Sequence, residues 1–286
     1  MTNSATAHDP SPSDPLAKRA ALFTQMQQIS VAETVPLFRT GVDVDNKNAP
    51  GQGFDPVTEA DRNCEQALRA LIELHFPHDG IIGEEFGRVR DDADYLWIID
   101  PIDGTRAFIA GVPLWGTLVG ILHHGQPVAT FACQPFIGEA FSAISKGPTP
   151  TANWSKAEEK RSLTTRPCTE LATATLMTTT PDLFSAAELA CYRKVEEQVR
   201  TIRYGTDWYG YALIASGTCD MIVESGLSSY DILPLVAMIE AAGGAVTDWR
   251  GEPLASGRTF TTGQVLAVGD ASMLPPLIEL MSPAAT

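Results

Sequence analysis

Apolar positions change period several times along the chain. In residues 15–35, Leu16, Ala20, Leu22, Phe23, Met26 and Ile29 recur mostly at three- and four-residue steps. That spacing predicts an amphipathic helix, which Pro36 ends. Residues 40–54 contain Gly41, Asn46, Asn48, Pro50, Gly51 and Gly53 and predict a loop, with a short strand at 42–44. Thr58 followed by Asp61 is a capping-box pattern. The helix it opens runs to about His75, with Cys64, Ala67, Leu68, Leu71 and Ile72 on one face. Ile81-Ile82-Gly83 reads as a short buried strand ending at Glu84-Glu85, residues 88–94 as a charged loop, and residues 95–99 as a second buried strand. Apolar runs at 115–122, 127–134 and 140–144, split by turn-like segments, predict a three-stranded meander.

Residues 147–166 are polar and irregular and predict a boundary between two halves. Beyond it the pattern predicts a strand at 174–178, a helix at 183–199, a strand at 201–204 and a helix at 207–216 ended by Gly217. A strand at 219–223 stops at Glu224. The next helix opens at Ser229-Tyr230-Asp231 and closes at Gly243-Gly244, as C-terminal glycines do. Strands beginning at Val246 and spanning 265–268 precede a final helix at 273–281. Strands and helices in alternating blocks predict layered α and β structure, and no fixed short repeat is present.

The length of 286 residues and a hydrophobic content of 44% support a sizeable core. The net charge of −15 excludes the clustered Lys and Arg that nucleic-acid backbones require. It leaves a small phosphorylated substrate open, because a bound metal reverses the local field. The five cysteines (Cys64, Cys133, Cys168, Cys191 and Cys219) are scattered without CxxC spacing, which predicts reduced thiols in a cytosolic protein. No run approaches the roughly 20 apolar residues of a membrane span. Residues 1–14, rich in Ser, Thr, Pro and Asp, predict a disordered tail rather than a secretory signal.

The chemistry gathers around Trp97-Ile98-Ile99-Asp100-Pro101-Ile102-Asp103-Gly104-Thr105. A buried strand ends at one acid, turns, and presents a second acid three residues later. Two close carboxylates resist ionising together unless a cation lies between them, and Mg²⁺ takes such oxygen ligands. Buried strands also end at Glu84 and Glu224, and Asp231 stands at a helix N-terminus. Singly, each acid has a plainer reading as a cap, a turn residue or a solvated terminus. Together, with no His or Cys at ligand spacing, they form the donor set that Mg²⁺ selects. His75, His78, His123 and His124 read as surface or loop residues.

Gly83-Glu84-Glu85, Asp100-Pro101-Ile102-Asp103-Gly104-Thr105 and Tyr230-Asp231 with Glu240-Ala241-Ala242-Gly243-Gly244 resemble the signatures of the inositol monophosphatase family. Asp55-Pro56-Val57-Thr58-Glu59-Ala60-Asp61 matches its upstream segment, and the likeness covers nearly all of the chain after the tail. With the boundary at 147–166, the chain is expected to be a single domain over 15–286 with halves near 15–150 and 160–286, and the cysteine pattern predicts a cytoplasmic location. The resemblance implies a layered αβαβα sandwich and a homodimeric Mg²⁺-dependent phosphomonoesterase. It implies one Mg²⁺ on Glu84, Asp100 and the Ile102 carbonyl, a second on Asp100, Asp103 and Asp231, and a third near Glu84. The phosphate would lie against the N–H groups of Gly104 and Thr105. A metal-activated water would be the nucleophile, oriented or deprotonated by Thr105 and Glu84, with Asp61 hydrogen-bonded to Thr105. Lys47 stands near the place of a lysine that the family usually carries, in a loop that looks longer here.

Arg106-Ala107-Phe108-Ile109-Ala110-Gly111, Trp115-Gly116-Thr117, Tyr204 to Tyr211 and Thr247-Asp248-Trp249 resemble the histidinol-phosphatase branch of that family, which serves histidine biosynthesis. Asp207 and Glu224 then become the candidate substrate contacts, since two carboxylates suit an amine and an imidazole. A helix cap is the plainer reading of Asp207. Inositol 1-phosphate is the alternative substrate. A sugar bisphosphatase or 3′-nucleotidase would want more cations than Lys47, Arg88 and Arg106 supply, and a non-enzymatic partner subunit would be marked by a lost metal ligand.

Overall fold

The structure is a computed structural model and describes residues 14–47, 55–147, 149–254, 260 and 263–282. The expected tail lies outside these residues except for Asp14, as does 48–54 of the expected loop. Asp14 accepts the Leu16 N–H at 2.9 Å and caps α1 (Pro15–Ala20). The long helix expected from the sequence is divided: α2 (Phe23–Thr34) starts afresh, and the Leu22 N–H bonds only three residues back, to Arg19. Arg19 fixes α1 separately, binding both oxygens of Asp79 at 2.7 and 2.6 Å.

Strands β1 (Val44–Asn46) and β2 (Pro56–Thr58) pair antiparallel before α3 (Glu59–His75). The order continues with β3 (Gly80–Gly83), β4 (Gly87–Val89), β5 (Tyr95–Asp103), α4 (Thr105–Ile109), β6 (Gly116–His123), β7 (Gln126–Gln134) and β8 (Glu139–Ile144). A hairpin of β9 (Thr151–Lys156) and β10 (Glu159–Ser162) follows, where the sequence predicts irregular chain. The eight-stranded sheet runs β10-β9-β8-β7-β6-β5-β3-β4. Its ends are β10, exposed at all four residues, and the short β4. Edge strands face water and carry no apolar alternation to read.

The second half holds β11 (Thr175–Thr178), α5 (Ala186–Glu196), β12 (Thr201–Tyr204), α6 (Asp207–Ala215), β13 (Met221–Glu224), α7 (Ser229–Ala241), β14 (Ala245–Thr247), β15 (Val265–Val268) and α8 (Leu274–Met281). Its sheet runs β12-β11-β13-β15-β14.

Period-two alternation assigns the layers. Trp97 and Ile99 of β5 face α2 and α3, meeting Met26, Cys64, Leu68 and Ile72. Ile98 between them faces the middle layer of α6 and α7. Ile222 of β13 reaches that layer from the second sheet. Met221 and Val223 point outward to α5 and α8, where Tyr192, Val195 and Leu277 pack. The architecture is an αβαβα sandwich. α7, buried along nearly its whole length, is apolar on almost every side, as a helix between two sheets must be. Its Pro234 interrupts the helical hydrogen bonding. Across this stretch the Thr130 hydroxyl donates to the Pro234 carbonyl at 2.6 Å and accepts the Met238 N–H at 3.1 Å. Among the described residues no helix is long and apolar enough to cross a membrane, and all five cysteines are buried and unpaired.

Candidate active site

The expected acids meet at one end of the layers, around a cleft of about 300 Å³. The β5 terminus builds its centre. Asp100 pairs with Leu118 of β6 and Asp103 with Gly116, so three steps on one strand oppose two on the other. Residues three apart on a regular strand point to opposite faces. The one-residue bulge brings both acids to the same side, as bulges re-aim side chains. Pro101 has no N–H to lose there, and its carbonyl accepts the Thr117 hydroxyl at 2.8 Å.

Asp231 arrives from the first turn of α7, where its Oδ2 accepts the Ser228 N–H at 2.7 Å. One carboxylate oxygen from each of Asp100, Asp103 and Asp231 lies within 4.8 Å of the others. Buried Asp100 Oδ1 has no hydrogen-bond partner. Burial, then the charges of Glu84, Asp103 and Asp231, drives the Asp100 carboxyl well above its ordinary range. Burial and the charges of Asp207 and Asp231 do the same to Asp103, against the Trp208 N–H. Asp231 is raised by burial to about 6. Three all-oxygen donors that repel one another, one of them orphaned, fit a hard divalent cation.

Glu84 also lines the cleft but stands outside that tight group. Its Oε1 accepts from Lys47 Nζ at 2.8 Å, and the same ammonium reaches Glu85 at 2.6 Å. Burial raises the Glu84 carboxyl to about 7 despite this partner. Lys47 thus meets the acids.

Thr105 opens α4 after Gly104, whose φ of 83° lies in the left-handed region that glycine tolerates. The Thr105 hydroxyl lies 3.3 Å from Asp61 Oδ1 and 3.0 Å from the Ile102 carbonyl. Asp61 is buried, and its Oδ2 takes the Thr58 N–H at 2.9 Å and the Thr58 hydroxyl at 2.6 Å. The capping box read from Thr58 and Asp61 therefore also holds Asp61 against Thr105.

Asp207 lines the same cleft. Its φ of 44° is unusual for a residue other than glycine, and its Oδ2 lies 3.2 Å from where a Cβ on Gly104 would stand. Burial raises its carboxyl to about 6, against the pull of Arg106 and the Thr179 hydroxyl. Glu224 is placed differently: it is buried, and its Oε1 accepts both the Thr179 N–H (2.7 Å) and the Thr179 hydroxyl (3.0 Å). Thr179, not Glu224, lines the cleft. Burial raises Glu224 to about 8. Sequence reasoning missed the wall segments containing Thr179, Thr180 and Leu183 and Gly226, Leu227 and Ser228. Their signal was available, since both follow strand ends, as the acids at Glu84 and Glu224 do.

Two sheets enclosing a helix layer, with an acidic cleft at the strand and helix ends, define a sandwich built around a cation-type site. The chain belongs to the inositol monophosphatase family, whose model matches residues 19–282, and it is a phosphatase of that family. It is 38% identical over 248 residues to the chloroplastic bifunctional phosphatase IMPL2 of Arabidopsis thaliana, covering 85% of this chain and 68% of that protein. It is 34% identical over 197 residues to the histidinol-phosphatase of Chlorobaculum parvum, covering 68% and 73%. Among solved structures, an inositol monophosphatase from Zymomonas mobilis superposes with a TM-score of 0.81 at 35% identity, over 94% of this chain and 99% of that one.

Proposed function

We propose that the protein hydrolyses L-histidinol phosphate to L-histidinol and phosphate, with Mg²⁺ as its cation. The observation that carries this reading is Asp207, a carboxylate lining the same cleft as the acids and set there by left-handed backbone. A cationic amine or imidazole on the leaving group gives such a carboxylate a partner, and hydrogen bonds between charged groups are the stronger ones. The same reading takes residues 15–286 as one domain and the protein as a cytoplasmic homodimer.

Asp100, Asp103, Asp231, Glu84 and the Ile102 carbonyl would hold two or three ions. When bound, Mg²⁺ supplies positive charge that lowers the pKa of water and offsets charge on the phosphoryl oxygens. The Gly104 and Thr105 N–H groups would receive the phosphate. The Thr105 hydroxyl, donating to Asp61 or to the Ile102 carbonyl, leaves its oxygen to accept a hydrogen from the attacking water and so aligns it. Glu84 takes the proton as the new P–O bond forms. The ester P–O bond breaks on the far side, the departing alkoxide takes a proton from solvent water to become the alcohol, and Glu84 returns its own proton to solvent. Asp207 orients the organic part, and Glu224 acts through Thr179.

Inositol 1-phosphate is the second reading. It is favoured by the position of Glu224 behind Thr179, which leaves the wall one carboxylate at Asp207 rather than two. Phosphate release from the two esters, each with Mg²⁺, decides between them. Faster turnover of histidinol phosphate is expected, and a large preference for inositol 1-phosphate overturns the assignment.

A further inference from the structure

Besides the acids, the cleft is lined by two loops distant in sequence, one through Thr179, Thr180 and Leu183 and one through Gly226, Leu227 and Ser228. Neither loop has regular strand pairing to hold it. The second is tied at its far end by the Ser228 N–H to Asp231, and in the middle by the Leu227 N–H to the Gly263 carbonyl at 3.2 Å. At its near end stands Ser225, only 4% exposed, whose hydroxyl donates to Glu188 Oε1 at 2.8 Å.

Glu188 lies in the first turn of α5 and outside the cleft. Its Oε2 accepts the Ser185 N–H at 2.8 Å, the ordinary capping-box bond, and Ser185 directly follows the first wall loop. A cap requires no more than this one oxygen. The other oxygen takes two further donors, the Ser225 hydroxyl from 37 residues away and Gln264 Nε2, also at 2.8 Å, from 76 residues away. A single carboxylate thus joins the ends of both wall loops and the segment before β15.

We propose that Glu188 is a positioning residue for substrate, a clamp that fixes the two wall loops at the separation the organic part of the phosphoester needs. The proposal rests on the reading of this cleft as the ester-hydrolysing site. Burial works upward on the Glu188 carboxyl, but the hydrogen bonds from Gln264, the Ser185 N–H and Ser225 outweigh it and hold the group down at about 2. The clamp therefore stays ionised at neutral pH. It is separate from the acids, because Asp100 and Asp103 are set by the β5 bulge and Asp231 by its own cap. Loosening Glu188 should widen the substrate wall and leave the cation cluster in place.

The test compares steady-state kinetics of Glu188→Ala, Glu188→Gln and Ser225→Ala on two esters with Mg²⁺. One is whichever of histidinol phosphate and inositol 1-phosphate the wild type prefers. The other is methyl phosphate, too small to touch the wall. Glu188→Ala should raise KM for the larger ester on the order of tenfold, the scale of a lost polar contact to substrate. The kcat/KM for methyl phosphate and the Mg²⁺ activation constant should stay within about twofold. Glu188→Gln, which keeps an acceptor for Ser225, should recover part of the loss. Ser225→Ala should repeat it, and its effect should not add to that of Glu188→Ala, as expected for partners in one network. Equal losses on both esters would make Glu188 merely structural and overturn the proposal, as would unchanged KM in folded variants. If Glu188→Ala does not fold, Ser225→Ala carries the same comparison. Because the larger ester is the one the wild type prefers, a wrong substrate assignment leaves this test intact.

Discussion

The Trp208 N–H donates to Asp103 Oδ2 at 2.7 Å across 105 residues of sequence. The residue before Trp208 is Asp207, the wall carboxylate. One hydrogen bond therefore fixes the distance between the acid cluster and the substrate wall and couples the first turn of α6 to the end of β5.

Asp103→Asn keeps an oxygen that can accept from Trp208 but removes the charge. The fold should survive, with an unchanged far-ultraviolet spectrum. Mg²⁺ should raise the melting temperature of the wild type and no longer that of this variant, as expected when a ligand no longer binds the native state. Turnover should fall about 100-fold or more, because cation stabilisation is worth several kcal/mol and each 1.4 kcal/mol is a factor of ten. Retained activity would sink the metal reading.

Asp207→Ala should raise KM for histidinol phosphate about tenfold, in line with a charge-assisted hydrogen bond of about 1.5–3 kcal/mol. Inositol 1-phosphate, with no cation to lose a partner, should suffer less. Equal losses on the two substrates would reduce Asp207 to a residue that shapes the start of α6.

Gly120→Ala tests the contact between the first sheet and the middle layer. A Cβ there would lie 2.6 Å from the Pro234 Cα, a backbone atom with no room to yield. Overpacking of this kind costs about 1–3 kcal/mol. The melting temperature should fall, and Mg²⁺ affinity with it, since Asp231 rides on the same helix. An unchanged melting temperature would mean that α7 can move away from the sheet at no cost.

Asp220 sets an acid limit to stability. Burial works upward on its carboxyl, but Arg166 at 2.6 and 2.5 Å and the Thr175 N–H at 2.7 Å outweigh it and lower it below 3.8. A group whose folded value is depressed stabilises the protein above its unfolded value, and that contribution is lost as pH falls through the folded one. Asp220→Asn should therefore lower the melting temperature clearly at pH 7. The gap from wild type should close as pH drops below about 3.8 towards the folded value. A gap that persists unchanged at the lowest pH would show that the charge contributes nothing.

The sequence by itself determined the layers, because buried strands and amphipathic helices carry their own periods. The apolar run at 95–99 marked a buried strand, while the facing of Trp97 and Ile99 to one layer and Ile98 to the other came from the packing. The sequence also determined the candidate acids, since Glu84, Asp100, Asp103 and Asp231 all stand at element ends, and the Thr58–Asp61 cap. It was silent on β4 and β10, whose exposure removes the apolar signal. It missed β9, where buried Ala152 and Trp154 alternate with polar neighbours in a segment otherwise rich in polar residues. It also missed the break between α1 and α2. Only the tertiary structure decided which acids share a space. The bulge after Asp100 gathers three of them, Lys47 claims Glu84, and Thr179 screens Glu224 from the cleft. Local pattern carries periodicity and caps, while the distance between residues 100 positions apart is set by packing, which no window of sequence contains.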